Sequence, residues 1–259
     1  MSLFQYDFGY TWPWTFGHLA AAVVFGAVAM LTWRMRLPRW MPVLTGAAAL
    51  WAAGGVAVVH GALRFNLPIE LPTRAFLPSG SGRVLDGGAG SGRATLMVLL
   101  ARPQSTVTAI DIFSEGYGID GNTPDRLRAN ATRIGVANRL EVVTGDLRKM
   151  PLPTASFDAA VSAFAIDHLN RDGMARALAE MKRVLKPQGQ FLLMVIAPDT
   201  YVRYAFPFLA AHGYFGPRTP SEIWRTRLTT AGFTVQEEGR QPGALYLLST
   251  TPAVVASLD

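Results

Sequence analysis

The stretch RVLDGGAGSGRA, Arg83 to Ala94, ends an apolar run in an acidic residue, Asp86, and follows it with Gly87, Gly88, Gly90 and Gly92. Glycine loses more backbone entropy on folding than any other residue, so a cluster this dense needs a reason. A flexible turn is one reading. The other is a strand-to-helix loop whose bare backbone lets a ligand approach. A second apolar run, TVTAIDI, ends in Asp111, where a carboxylate is placed to accept hydrogen bonds from a ribose diol.

The glycine spacing narrows the ligand. A dinucleotide fingerprint, GxGxxG, needs its third glycine three residues after the second, and counting from Gly88 and Gly90 that place holds Arg93. What fits is D-x-G-x-G-x-G over Asp86, Gly88, Gly90 and Gly92. The elements that must position these residues follow from the apolar pattern. RVLDGG, TVTAIDI, LEVVTGD, FDAAVSAFA, QFLLMVIA, TVQEEG and ALYLLST read as strands, with helices predicted near 91–102, 125–134, 172–186 and 220–231. Alternation of this kind predicts an α/β fold, a Rossmann-like, seven-stranded, mostly parallel sheet with helices on both faces. Ligands of such sheets bind past the carboxyl ends of the strands.

The glycine motif resembles the first motif of the class I S-adenosylmethionine-dependent methyltransferases, and the likeness extends over most of residues 80–200. TAIDI is similar to the second family motif, VVTGDLRKMPLP to the third, FDAAVSAFAIDHL to the fourth strand and its exit loop, and RVLKPQGQFLL to the turn into the fifth strand. The resemblance implies S-adenosylmethionine as cofactor and S-adenosylhomocysteine as product. It implies that Asp86 and the loop glycines hold the amino-acid end, Asp111 with Ile112 the ribose, and Asp146 with the Leu147 backbone the adenine. Ala163, at the end of the fourth strand, joins the same set. Asp167 and His168 follow that strand near the implied methyl position. They are the candidate proton acceptors, His168 by its ordinary pKa; packing and loop solvation are the plainer alternatives. Two stretches depart from the family pattern. IFSEGYGIDGNTP after Asp111 is a long loop, either a cover over the cofactor or a tolerated insertion. The aromatic stretch at 199–224 contains Tyr201, Tyr204, His212 and Tyr214 as candidates for lining an acceptor pocket.

The chain has no cysteine, which excludes disulfides, thiolate zinc sites and cysteine nucleophiles, and its four histidines are widely spaced, so no metal site is expected. The net charge of +6 comes almost wholly from arginine, without a dense basic stripe or a recognition motif that would suggest nucleic acid. Low charge concentrates at the beginning of the chain. Thr15–Trp33 and Met41–Leu63 contain no Asp, Glu, Lys or Arg, and each approaches the ~20 residues a bilayer core requires. Trp12, Trp14, Trp33 and Trp40 flank them as an aromatic belt would. A transmembrane hairpin over 1–64 and a catalytic domain over 65–259 are therefore expected. Ala49, Ala53, Ala57 and Gly61 share one helix face suited to close helix contact, within the hairpin or between copies in a homo-oligomer. His18 and His60 lie near the ends of these segments and read as interfacial.

These readings predict an enzyme of the inner (cytoplasmic) membrane whose catalytic domain faces the cytoplasm and which methylates a lipophilic or membrane-associated acceptor. The basic turn Arg34, Arg36, Arg39 pulls against that orientation under the positive-inside rule. A small water-soluble or volatile acceptor, with the hairpin as a mere anchor, is the alternative. A non-catalytic, cofactor-binding membrane protein is the third reading.

Overall fold

The computed structural model describes residues 5–115, 119–197 and 218–253. Two apolar helices open it. The first, α1 (Trp12–Arg34), starts on Pro13, which suits a first helical turn. The second, α2 (Trp40–Val56), continues through wider turns over Ala57–Ala62. Both are long and apolar enough to cross a membrane, and the rest of the chain buries only 6% and 17% of their most apolar windows.

The contact between the two helices does not use the Ala49, Ala53, Ala57 and Gly61 face. Ala53, Ala57 and Gly61 point outward, whereas Ala52, Gly55 and Val59 are buried. The buried set is set by His18, whose ring lies where a side chain on Gly55 would go. The imidazole also meets Trp51, with 5.6 Å between ring centres. A residue of real volume on α1 thus selects which small residue of α2 must oppose it. At the base, His60 Nε2 lies 2.8 Å from the carbonyl of Thr15 and ties the hairpin's two ends together.

All seven predicted strands form, as β1 (Ser81–Gly87), β2 (Gln104–Asp111), β3 (Leu140–Thr144), β4 (Phe157–Ala163), β5 (Leu185–Ile196), β6 (Thr234–Gln241) and β7 (Ala244–Thr250). Their order is β3-β2-β1-β4-β5-β7-β6, and only β7 runs against its neighbours. Between β1 and β4 the order reverses direction, which opens a crevice at the carboxyl ends of those strands. Among the described residues the sheet's α-helices are α3 (Arg93–Ala101), α4 (Pro124–Arg133), α5 (Arg171–Val184) and α6 (Pro220–Thr230). Alternate residues of β5 serve opposite cores. Phe191, Leu193 and Val195 pack with α5 and α6, while Leu192 and Met194 pack with α3. Covering on both faces explains why these strands read as unbroken apolar runs.

One segment lies where its sequence position does not suggest. Residues before Phe65 were grouped with the hairpin, yet Tyr6 (8% exposed) and Phe8 (4%) are buried in the core between the sheet and α3. The chain thus lays a short arm on the α/β body, leaves it for the hairpin, and returns at Phe65.

Candidate active site

The crevice is built on the end of β1. Asp86 is fully buried. Its Oδ2 accepts a 2.5 Å hydrogen bond from the Thr95 hydroxyl on α3, and its Oδ1 has no partner. Burial pushes the carboxyl up to about 7, against the pull of the Thr95 bond, and the nearby Asp111 charge adds to the rise. Beyond it, the N–H groups of Gly88 and Ala89 donate to the Ile110 carbonyl at 2.8 and 3.2 Å. Asp111 clasps the loop from β2: its Oδ2 accepts from Gly90 N–H at 2.9 Å and its Oδ1 from Phe113 N–H at 2.6 Å. Helices α4, α5 and α6 begin on a Thr or Asn oxygen that accepts a backbone N–H, whereas α3 begins on Gly92 with no such side chain.

The glycines serve different ends. A side chain on Gly87 would strike the methyl of Met181, and one on Gly88 (φ +78°) would meet Ala165 at 2.2 Å. Gly92 (φ +98°) sits against Leu127. These three permit close packing as well as the turn. Gly90 (φ +52°) has only Ile119 nearby, at 3.6 Å, so its bareness faces open space. Two substitutions separate the roles. Gly88→Ala adds a clash to the left-handed backbone and is expected to lower the thermal midpoint sharply. Gly90→Ala adds only the backbone cost of roughly 1–2 kcal/mol, so it should fold and lose mainly ligand affinity. Thermal melts of the two variants side by side check this.

The remaining expected residues divide. Ala163 lines the cleft with Gly88, Gly90 and Ser91. Leu147 is buried and packs against Gly87 and Gly88. Asp146 binds Arg148 through both oxygens, at 2.6 to 2.9 Å, and those bonds hold its carboxyl below the ordinary carboxylate value. Any adenine contact at Asp146 would share the carboxylate with that guanidinium. Asp167, 7% exposed, accepts the Ile196 N–H on Oδ2 at 2.9 Å and so joins the turn after β4 to the end of β5. His168 is half-buried on the same short turn, Ile166–His168. Ile112 is 48% exposed beside the loop. Tyr201, Tyr204, His212 and Tyr214 lie outside the described residues.

Sequence reasoning missed one wall of the cleft, formed by Phe8, Tyr10 and Ile69 together with Ile119, Arg93 and Phe164. The alternation Tyr6, Phe8, Tyr10 was its signal, a period of two ahead of a helical segment. Phe164 adopts φ +55°, a conformation a bulky residue holds only when its surroundings impose it. Ile119, from the long stretch after Asp111, lines the crevice and bridges to Tyr10.

Buried Asp86 Oδ1 at the end of β1, and Ser91 Oγ next to open Gly90, have no partners and suit a ligand that brings hydrogen-bond donors such as an ammonium group. The family model described as a methyltransferase domain matches residues 84–189, which contain the glycine loop, Asp111, Asp146, Asp167 and His168 but not the Phe8, Tyr10 and Ile69 wall. The chain is 33% identical over 117 residues to a malonyl-[acyl-carrier protein] O-methyltransferase of Methylovorus sp., an alignment covering 45% of this chain and 38% of the relative. It is 37% identical over 113 residues to a ubiquinone/menaquinone biosynthesis C-methyltransferase of Methylobacterium nodulans, covering 43% and 41%. It thus spans less than half the length of these two relatives. Among solved structures, a SAM-dependent methyltransferase from Methanosarcina mazei shares the fold with a TM-score of 0.55 at 19% identity, covering 72% of this chain and 100% of that one.

Proposed function

From the premise that this chain belongs to the class I S-adenosylmethionine-dependent methyltransferases, we propose that it transfers a methyl group to a lipophilic acceptor drawn from a bilayer. The carrying observation is where the cleft lies. Its outer wall, Phe8, Tyr10 and Ile69, belongs to the segments that run directly into and out of the two apolar helices. An acceptor partitioned into a membrane around those helices would meet the site at their foot. Relatives named for ubiquinone/menaquinone biosynthesis agree with such an acceptor, and those named for malonyl-[acyl-carrier protein] point to a soluble one. The exposed apolar helices favour the former. Arg34, Arg36, Arg39, Arg64 and Arg74 would add attraction to anionic headgroups. The proposed place is the cytoplasmic membrane, with the α/β body on the side where the cofactor is made.

The cofactor supplies a methyl group already activated on a sulfonium, which leaves the protein to bind, align and exclude water. Asp86 with the glycine loop would hold the amino-acid end, Asp111 and Ile112 the ribose, and Asp146 and Leu147 the adenine. Ala163 and Phe164 would close the floor between them. Where the acceptor has a proton to lose, His168 would take it. Asp167, held by the Ile196 amide, fixes the turn that presents His168. The test is incubation of the detergent-solubilised protein with radiolabelled S-adenosylmethionine and a total membrane lipid extract. Label is expected in the organic phase and is expected to vanish with Asp86→Ala. Label confined to added water-soluble acceptors would establish the anchored small-acceptor enzyme instead. Cofactor binding without any transfer would leave the non-catalytic reading.

A further inference from the structure

We infer that the cofactor pocket extends onto the N-terminal arm, so that seating the arm and binding the cofactor are one coupled event. This rests on the proposed cofactor reading and goes beyond it. The coupling has a specific joint in Asn130 of α4, which is fully buried. Its amide nitrogen donates both to the Ser91 carbonyl in the glycine loop, at 3.0 Å, and to the Asp7 carbonyl in the arm, at 2.7 Å. Its Oδ1 accepts the Asp7 N–H at 2.9 Å. One side chain therefore fixes the arm to the loop that the ligand must touch.

A second joint lies two residues beyond Ser91, where the loop enters α3. Arg93, the first residue of α3, sends its guanidinium outward across the cleft. It donates to the Tyr10 hydroxyl at 3.2 Å and to the carbonyls of Leu63, Arg64 and Leu67 at 3.0 to 3.2 Å. It also stacks over the rings of Tyr10 and Phe65, 5.7 Å from each centre. The arm is clasped from its far side as well, for Asp120 N–H donates to the Gly9 carbonyl at 2.7 Å. Phe8 and Tyr10 then face Gly88–Ser91 across the cleft. Only Thr11 separates Tyr10 from α1, so a displacement of the hairpin's base reaches this wall directly.

Coupling of this kind is reciprocal: if the seated arm improves binding, the bound ligand must hold the arm in place. The full chain in detergent is therefore followed by hydrogen exchange with and without S-adenosylhomocysteine. Amides of residues 5–11 are expected to slow together with those of 86–92. Calorimetry with the same ligand is expected to show about tenfold weaker binding for Tyr10→Ala, with near-normal binding for Tyr10→Phe, which keeps the ring. Slowing at 86–92 with unchanged exchange at 5–11 would overturn the inference and leave the cofactor reading intact. Unchanged exchange at both would sink the cofactor reading itself. Exchange on the unmodified chain decides the matter even if Tyr10→Ala does not fold.

Discussion

Asp86→Asn is expected to melt at a higher temperature than the unmodified protein at pH 8 while losing cofactor binding. The carboxyl is fully buried, takes hydrogen bonds only from Thr95 and is pushed up to about 7 in the folded state, against an ordinary 3.8. Below 3.8 both folded and unfolded chains hold the proton, and the group costs nothing. As pH rises from 3.8 towards 7 the unfolded chain gives up its proton and the folded chain does not, so stability falls. Above 7 the loss is complete, at about 4 kcal/mol from the cost of a pKa unit. Asparagine keeps an acceptor for Thr95 and carries no charge, though its amide nitrogen inherits the unpartnered position, which returns part of the gain. A net rise of about 3–8 °C is expected for a domain of this size. The same titration works in reverse for binding. A ligand ammonium at Asp86 favours the ionised carboxylate, so affinity should climb between pH 5 and 7, then level. Calorimetry at pH 6 in buffers of different ionisation enthalpy should show a proton released on binding. A flat affinity over that range, with an asparagine variant that melts earlier at pH 8, would mean the folded carboxylate is ionised and paired.

A burial-strained carboxylate at the end of β1 is a feature that the sequence announces only in part. Asp86 and the glycines are legible because they are contiguous, and because a glycine cluster after an apolar run has few structural uses. Every strand was legible for a similar local reason, since period-two burial or an unbroken apolar run is written into adjacent residues. Partnerships across the chain were not. The Ile196 amide that engages Asp167 belongs to a strand 29 residues on, and the Asn130 side chain that holds Asp7 lies 123 residues away. The face of α2 that meets α1 was not legible either, because Ala52, Gly55 and Val59 are interleaved with the Ala49–Gly61 series and only His18 against Gly55 tells the two faces apart. Tyr6 and Phe8 were the largest loss. Their alternation was visible, but proximity to an apolar helix outweighed it, and only the fold shows that α3 and Phe76 cover them.

That arm makes the boundary at residue 65 an experimental question with a large effect. Deleting 1–64 is the obvious way to obtain a soluble domain, and it is expected to fail. It removes Tyr6 and Phe8 from a closed core, and loss of a single buried aromatic ring typically costs about 3–5 kcal/mol. It also strips Asn130 of its bonds to Asp7 and Arg93 of Tyr10 and the Leu63 and Arg64 carbonyls. Against a total stability of roughly 5–15 kcal/mol, such losses leave little. Excising only the hairpin should succeed, because its two ends are already together. The rings of Tyr10 and Phe65 stack at 4.7 Å, and Thr15 meets His60. Replacing residues 12–62 by a short Gly/Ser linker keeps the arm, both joints and the return strand of chain. That variant is expected to be soluble without detergent, to melt cooperatively and to bind S-adenosylhomocysteine much as the full chain does. It should no longer sediment with vesicles. On the proposed function it should methylate a dispersed acceptor and lose the advantage for one embedded in a bilayer. If instead the chain starting at residue 65 melts and binds as well as the excised one, the arm is a passenger, and the catalytic domain begins where the apolar helices end.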